Sequence, residues 1–191
     1  MMTSISITKR DGSKEEFNAD KINRSIERAA EGLSDPISMV TQIATETRLT
    51  LYDGITTDEM DLATINAAVQ NIKEDIEYDK VAVRLLLKTV YRRVVGEYND
   101  DKAELAAKHA AQFPIHIKTQ VEAGLLEERM ITKFDLETLG NALKIERDEL
   151  LNYAGLSSLL DRYSMRDINQ KRIETPQYFW MRVAMGLSYN E

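Results

Sequence analysis

Apolar and polar residues alternate at the start of the chain, where Ile5 and Ile7 stand among Ser4, Ser6 and Thr8. A period of two marks a half-buried strand. Asp11-Gly12 marks a tight turn, because glycine takes a positive φ without steric cost. A second extended piece runs through Glu15, Glu16 and Phe17, so Ser4 to Asn18 is predicted to form a small β-hairpin. Beyond it the apolar period lengthens to that of helices. Asp20 is expected to cap a helix carrying Ile22, Ile26, Ala29, Ala30 and Leu33, with Gly32 as its stop. Asp35-Pro36 sets a cap before a proline at the first helical position, opening a helix with Ile37, Val40, Ile43 and Ala44 inward. Tyr52-Asp53-Gly54 reads as a turn. Thr57 or Asp58 starts a third helix, with Met60, Ile65, Val69 and Ile72 inward. Asp79 starts a fourth, with Val83, Leu86, Leu87, Val90, Tyr91 and Val94, and Gly96 ends it.

The second half predicts shorter helices. Lys102 to Gln112 is Ala-rich and is expected to stop before Pro114. Ile115 to Ala123 adds a turn or two, ending at Gly124. Glu127 to Leu139, Lys144 to Tyr153 and Ser157 to Tyr163 follow. Thr175-Pro176 opens a last helix, apolar around much of its circumference, with Tyr178, Phe179 and Trp180 expected in a core. The polar run Tyr98-Asn99-Asp100-Asp101 after Gly96 supplies a boundary. The expected organisation is a domain over 1–97 and a helical segment over 98–191, mainly α with a small hairpin (α+β).

Composition narrows the functions available. The chain has 191 residues, 43% hydrophobic and 30% charged, enough apolar side chain for a packed core. It contains no cysteine, which excludes disulfides, thiolate metal sites and a cysteine nucleophile or radical on this chain. A net charge of −7 argues against a general nucleic-acid or membrane-surface binder. No targeting segment is visible, and Val81 to Leu87 is too short to span a bilayer, so a cytoplasmic protein is expected. His109 and His116 carry no carboxylate at metal-motif spacing and read as structural or surface residues. Glu127-Glu128 and Asp148-Glu149 are helix neighbours, which do not face each other, so no acid–base pair and no catalytic residue is assigned.

One constellation carries candidate chemistry. Lys9 and Arg10 precede the hairpin turn, Lys14 follows it, and Lys21 opens the first helix. Cations beside a helix N-terminus are what phosphate binding requires. A solvated basic turn has the same composition, and no Walker-type or GxGxxG loop is present.

The run Thr8-Lys9-Arg10-Asp11-Gly12-Ser13, with Glu15, Phe17-Asn18 and Lys21-Ile22, resembles the opening of an ATP-cone, the regulatory module of many ribonucleotide reductases. Tyr52-Asp53-Gly54-Ile55-Thr56-Thr57 resembles the loop before that module's third helix, and Val81 to Gly96 its last helix. Leu159 to Ser164 and Glu174 to Met181 resemble the helical segment leading into the barrel of the aerobic (class I) large subunit. The resemblance implies a hairpin plus four helices, then an all-helical segment. It places ATP or dATP, with Mg²⁺, at Ile7, Lys9, Arg10, Glu15, Glu16, Phe17, Asn18, Lys21, Thr57, Asp61 and Arg92. Lys9, Arg10, Lys21 and Arg92 would meet the triphosphate, and Glu15, Phe17 and Asn18 the base and sugar. Arg92 stands where the family commonly has lysine, and Asp61 where some members carry a histidine that separates ATP from dATP. No dedicated metal site is implied. The implied partners are a barrel-bearing part of the large subunit, in the same or another chain, a radical-generating small subunit, and further copies of the chain. The implied function is control of overall activity through oligomerisation. The alternative is a docking fragment of a split reductase with a silent cone.

Overall fold

The computed structural model describes residues 5–99 and 101–189. The chain divides into two compact units, Met1–Thr89 and Val90–Glu191.

The first unit is built on a three-stranded sheet, β2-β1-β3. β1 (Ser6–Thr8) pairs antiparallel with β2 (Lys14–Glu16), bringing Ile7 opposite Glu15 and Thr8 opposite Lys14. The expected hairpin is present, with Ser4 outside the described residues. Its turn closes through Gly12 N–H donating to Lys9 O at 2.9 Å, with Gly12 at φ +83°. That left-handed backbone is why glycine stands there. The third strand is new. β3 (Ile55–Thr56) runs parallel to β1, pairing Ile55 with Ile7. Asp53 fixes this edge by accepting from the Ser6 backbone N–H at 2.8 Å and its hydroxyl at 2.6 Å.

Four helices accompany the sheet: α1 (Ala19–Ala29), α2 (Pro36–Leu49), α3 (Thr57–Gln70) and α4 (Glu77–Val94), the last of which runs past the end of the first unit. α1 is capped by Asn18, whose side chain accepts from Asp20 N–H at 2.8 Å, two residues before the expected cap. α2 has the expected Asp35 cap and Pro36 start. Its buried face is Met39, Ile43, Ala44 and Thr47, while Ile37 is 80% exposed. Thr47 tolerates burial because its hydroxyl donates to Ile43 O at 2.7 Å. α3 opens with a capping box: Thr56 accepts from Glu59 N–H, and the Glu59 carboxylate accepts in return from Thr56. It buries Thr64, Ile65, Ala67 and Ala68, with Met60, Val69 and Ile72 only half-buried. α4 starts at Glu77, not Asp79, and buries Val83, Leu86 and Leu87.

In the second unit α5 (Lys102–Glu122) runs unbroken through Pro114, against the expected stop. Proline removes the bond to the carbonyl four residues back and crowds it. That carbonyl belongs to Ala110, and α7 (Leu136–Ala142) passes it at Gly140. A Cβ on Gly140 would lie 2.6 Å from Ala110 O. A glycine on a neighbouring helix thus fits the irregularity that Pro114 creates. Asp135 caps α7 by accepting from Glu137 and Thr138 N–H, which splits the expected Glu127–Leu139 helix into α6 (Arg129–Thr132) and α7. Ile145–Leu150 is a 3-10 helix, and α8 (Tyr153–Arg162) starts earlier than expected behind its Asn152 cap. α9 (Pro176–Leu187) begins as predicted, with Thr175 accepting from Tyr178 N–H. Phe113, Ile117, Met130, Leu136, Tyr178 and Met185 form this unit's core. Trp180 is not in it: this residue is 52% exposed and Phe179 is half-buried, because only one side of α9 faces the core.

The core also holds polar groups. His109 and His116 flank the Tyr178 ring at 4.4 and 5.1 Å between centroids. His109 Nε2 lies 2.8 Å from Thr175 Oγ1. Glu174, fully buried, accepts from Arg182 Nε at 2.6 Å and from Met165 N–H at 2.8 Å. Asp148 accepts from Tyr91 OH at 2.6 Å and Gln177 Nε2 at 2.9 Å. Burial still pushes its carboxyl up to about 6.

Two predictions follow from this packing. Gly140→Ala forces a methyl against the Ala110 carbonyl and should destabilise the chain by about 1–3 kcal/mol, read from urea unfolding at unchanged m. Asp148 has a raised folded pKa, so its folded state holds the proton between the unfolded value and about 6 and loses stability as pH rises through that window. Asp148→Asn, which resembles the protonated form, should therefore gain stability relative to wild type from pH 4 to 7. A gap that stays constant or narrows in urea melts across that range would contradict this.

Candidate functional site

The end of β1 and the turn after it project cations, and β2 and α3 bring carboxylates to them. Lys9 Nζ lies 2.9 Å from one oxygen of Glu15, and Lys21 Nζ spans both, at 2.9 and 3.0 Å. Glu15 is placed by β2, opposite Ile7, and Lys21 by the first turn of α1. The carboxylate thus fixes the spacing of two ammonium groups from separate elements. The bond to Glu15 raises the Lys9 pKa, and the bonds from Lys9 and then Lys21 lower that of Glu15. The lysines are exposed and Glu15 partly so, and each pair contributes little to stability, so its effect is positional.

Arg10 points the other way. Its Nε donates to Asp58 at 3.0 Å and its Nη2 to Asp61 at 3.4 Å. Asp58 and Asp61 stand three residues apart on α3 and share a face. α3 reaches this position because β3, immediately before it, is paired with β1. Thr57 Oγ1 completes the seam, 3.5 Å from Thr8 O.

The remaining expected residues fall into four groups. Ile7 is 3% exposed, a core side chain that offers a ligand only its backbone. Glu16 is exposed on β2, and Phe17 is half-buried with its N–H donating to Ile5 O at 2.8 Å. Asn18 is the α1 cap. Arg92 belongs to the second unit, where Glu97 lies 3.5 Å from its Nε and the Tyr98 ring 5.8 Å from its guanidinium. Asp58 was not among the expected residues. Its i,i+3 spacing to Asp61 is the signal that could have found it.

The first unit thus carries two ion-pair groups flanking β1, Lys9 and Lys21 on Glu15 and Arg10 on Asp58 and Asp61. Such a surface suits a polyanion that exchanges for the carboxylates. Of the other acidic pairs, Glu127 accepts from Arg129 Nε at 2.9 Å and Asp148 is the buried acceptor described above. Among the described residues no three or more His, Asp or Glu side chains gather as a metal site, and no helix is long and apolar enough to cross a membrane.

Residues 5–93 match the ATP cone domain family, and residues 149–191 match the ribonucleotide reductase all-alpha domain. The chain is 33% identical over 188 residues to the ribonucleoside-diphosphate reductase subunit alpha of Helicobacter pylori (strain ATCC 700392 / 26695), covering 98% of this chain and 22% of that protein. It is 31% identical over 196 residues to the subunit alpha of Enterobacteria phage T4, covering 100% and 24%. Against the reductase 1 subunit alpha of Escherichia coli (strain K12) the identity is 27% over 195 residues, covering 100% and 24%. The chain therefore spans 22–24% of the length of these relatives. With these two matches and the relatives' similarity along its whole length, the chain belongs to the ribonucleotide reductase large-subunit family, over an ATP-cone and part of the all-alpha domain.

Proposed function

We propose that residues 1–97 bind ATP or dATP and that residues 98–191 lead into a barrel-bearing part of a ribonucleoside-diphosphate reductase large subunit. The observation that carries this reading is Glu15 holding Lys9 and Lys21 at 2.9 Å each. Two ammonium groups kept at a fixed spacing form a phosphate clamp whose ordering is complete before the ligand arrives. Arg10 adds a forked donor from the same turn. The base and sugar would meet Glu15, Phe17, Asn18 and Thr57. Asp58 and Asp61 are held by Arg10 and form no metal cage, so Mg²⁺ would travel with the triphosphate. A magnesium bound with triphosphate takes most of its remaining ligands from phosphate and water, and it would neutralise part of the charge that faces these carboxylates.

In this account the nucleotide shifts the large subunit between an active arrangement and an inhibited oligomer. It can do so only by binding one arrangement more tightly. A coupling of about 1–3 kcal/mol gives a 5- to 150-fold effect. The cysteine radical chemistry and the small subunit that starts it lie outside this chain, which has no cysteine. The proposed setting is deoxyribonucleotide synthesis in the cytoplasm.

A second reading, a docking segment with a silent cone, draws support from α9. Trp180 and Leu187 are 52% and 80% exposed, and Ala184 between them is exposed too. Their i, i+4, i+7 spacing makes an uncovered apolar stripe.

Calorimetric titration of ATP and of dATP, each with Mg²⁺, separates the readings. The wild-type chain should bind in the micromolar range. The Lys9→Ala/Lys21→Ala double variant should lose at least about tenfold, since a charge-assisted hydrogen bond contributes about 1.5–3 kcal/mol. Absence of heat from a folded wild-type chain would overturn the nucleotide reading and leave the docking one.

A further inference from the structure

The two ion-pair groups beside β1 are unlike in charge. Two ammonium groups, of Lys9 and Lys21, share the single carboxylate of Glu15, which leaves that group an excess of positive charge. One guanidinium, of Arg10, faces the two carboxylates of Asp58 and Asp61, which leaves the second group an excess of negative charge. An anion can add to the first group. In the second it must take Arg10 from partners already in place.

Arg10 is built for such an exchange. Its backbone lies in the hairpin turn, which is closed by Lys9 N–H donating to Ser13 O at 2.8 Å and by Gly12 N–H donating to Lys9 O. Neither bond uses the Arg10 side chain, so the guanidinium can change partners while the turn stays formed. The contacts it would leave are open to water, with the Arg10 side chain 36% and that of Asp58 52% exposed. Asp58 stands in the first turn of α3, where the helix dipole favours a negative charge. Water and the helix end therefore both stabilise its carboxylate once Arg10 departs. An exposed pair of this kind biases a side chain without fixing it.

We propose that Asp58, with Asp61, holds Arg10 in reserve, so that the guanidinium turns from α3 to the phosphates only when a polyphosphate occupies the lysine clamp. Asp58 is a positioning residue that lowers affinity. A ligand that draws on a minor orientation of a side chain binds more weakly, in proportion to how rarely that orientation is populated. The pair thus sets the nucleotide concentration at which the site fills. This role rests on nucleotide binding by the first unit, as proposed above.

Calorimetric titration with Mg-ATP of the wild-type chain, Asp58→Asn, Arg10→Ala and the double variant tests it. Asparagine keeps the shape of the side chain and removes its charge. Asp58→Asn should tighten ATP binding by about two- to fivefold, the bias that one exposed ion pair exerts. The gain should shrink in the Arg10→Ala background, where no guanidinium is left to release. In proton–nitrogen spectra of the wild type, the Arg10 Nε–H signal should move as Mg-ATP saturates the site. An equal gain from Asp58→Asn with and without Arg10 would assign the effect to plain repulsion of the phosphates and overturn the reserve role. Unchanged or weaker binding by Asp58→Asn overturns it as well, and leaves nucleotide binding intact. So does an Arg10 signal that saturating Mg-ATP leaves in place. A folded wild-type chain that takes up no ATP overturns both readings.

Discussion

The candidate site depends on three residues of backbone. β1 pairs with β2 on one side and β3 on the other, and Ile7 at its centre is buried. Pairing with β2 sets Glu15 beside Lys9, and pairing with β3 sets the start of α3 beside Arg10. A one-residue slip would turn Ile7 outward and carry every site residue on these strands to the wrong face. Register is strongly specified here because one face is core, with Ile55 and Ile7 packed as paired neighbours.

Charge on this frame is balanced locally. Glu15 faces two lysines, and Asp58 with Asp61 faces one arginine. The carboxylates keep long cationic side chains in defined positions, which lowers the ordering cost when an anion arrives. They also set a competition, since a polyanion must draw the cations from their partners. A site of this kind favours ligands of high charge density over a single phosphate. This links the local geometry to the choice of a triphosphate in the proposed function.

Much of the fold is legible because its signals are local. Asp11-Gly12, Asp35-Pro36 and Thr175-Pro176 each specify a turn or helix start within two residues, and each stands where expected. The basic turn with Glu15 and Lys21 was legible for the same reason. What escaped depends on distant partners. β3 is two residues long, too short for alternation to register, and exists because β1 lies beside it. Thr47 and Thr64 are buried because each hydroxyl bonds back to its own helix. Pro114 is tolerated inside α5 where Gly140 comes close to the strained carbonyl. The buried group of His109, His116, Tyr178, Glu174 and Arg182 draws on two helices and the residues that open the second, a combination with no sequence period. Asp58 lay within reach of pattern reasoning, through its spacing to Asp61.

The central claim is that Glu15 presents Lys9 and Lys21 together as a phosphate clamp. Carbon-13 spectra of the lysine ε-methylenes, followed while Mg-ATP is added, address it at the atoms concerned. The account predicts that the Lys9 and Lys21 signals shift together and saturate together, while those of exposed Lys73 and Lys118 stay in place. Saturable ATP binding that leaves the Lys9 and Lys21 signals unmoved would contradict it.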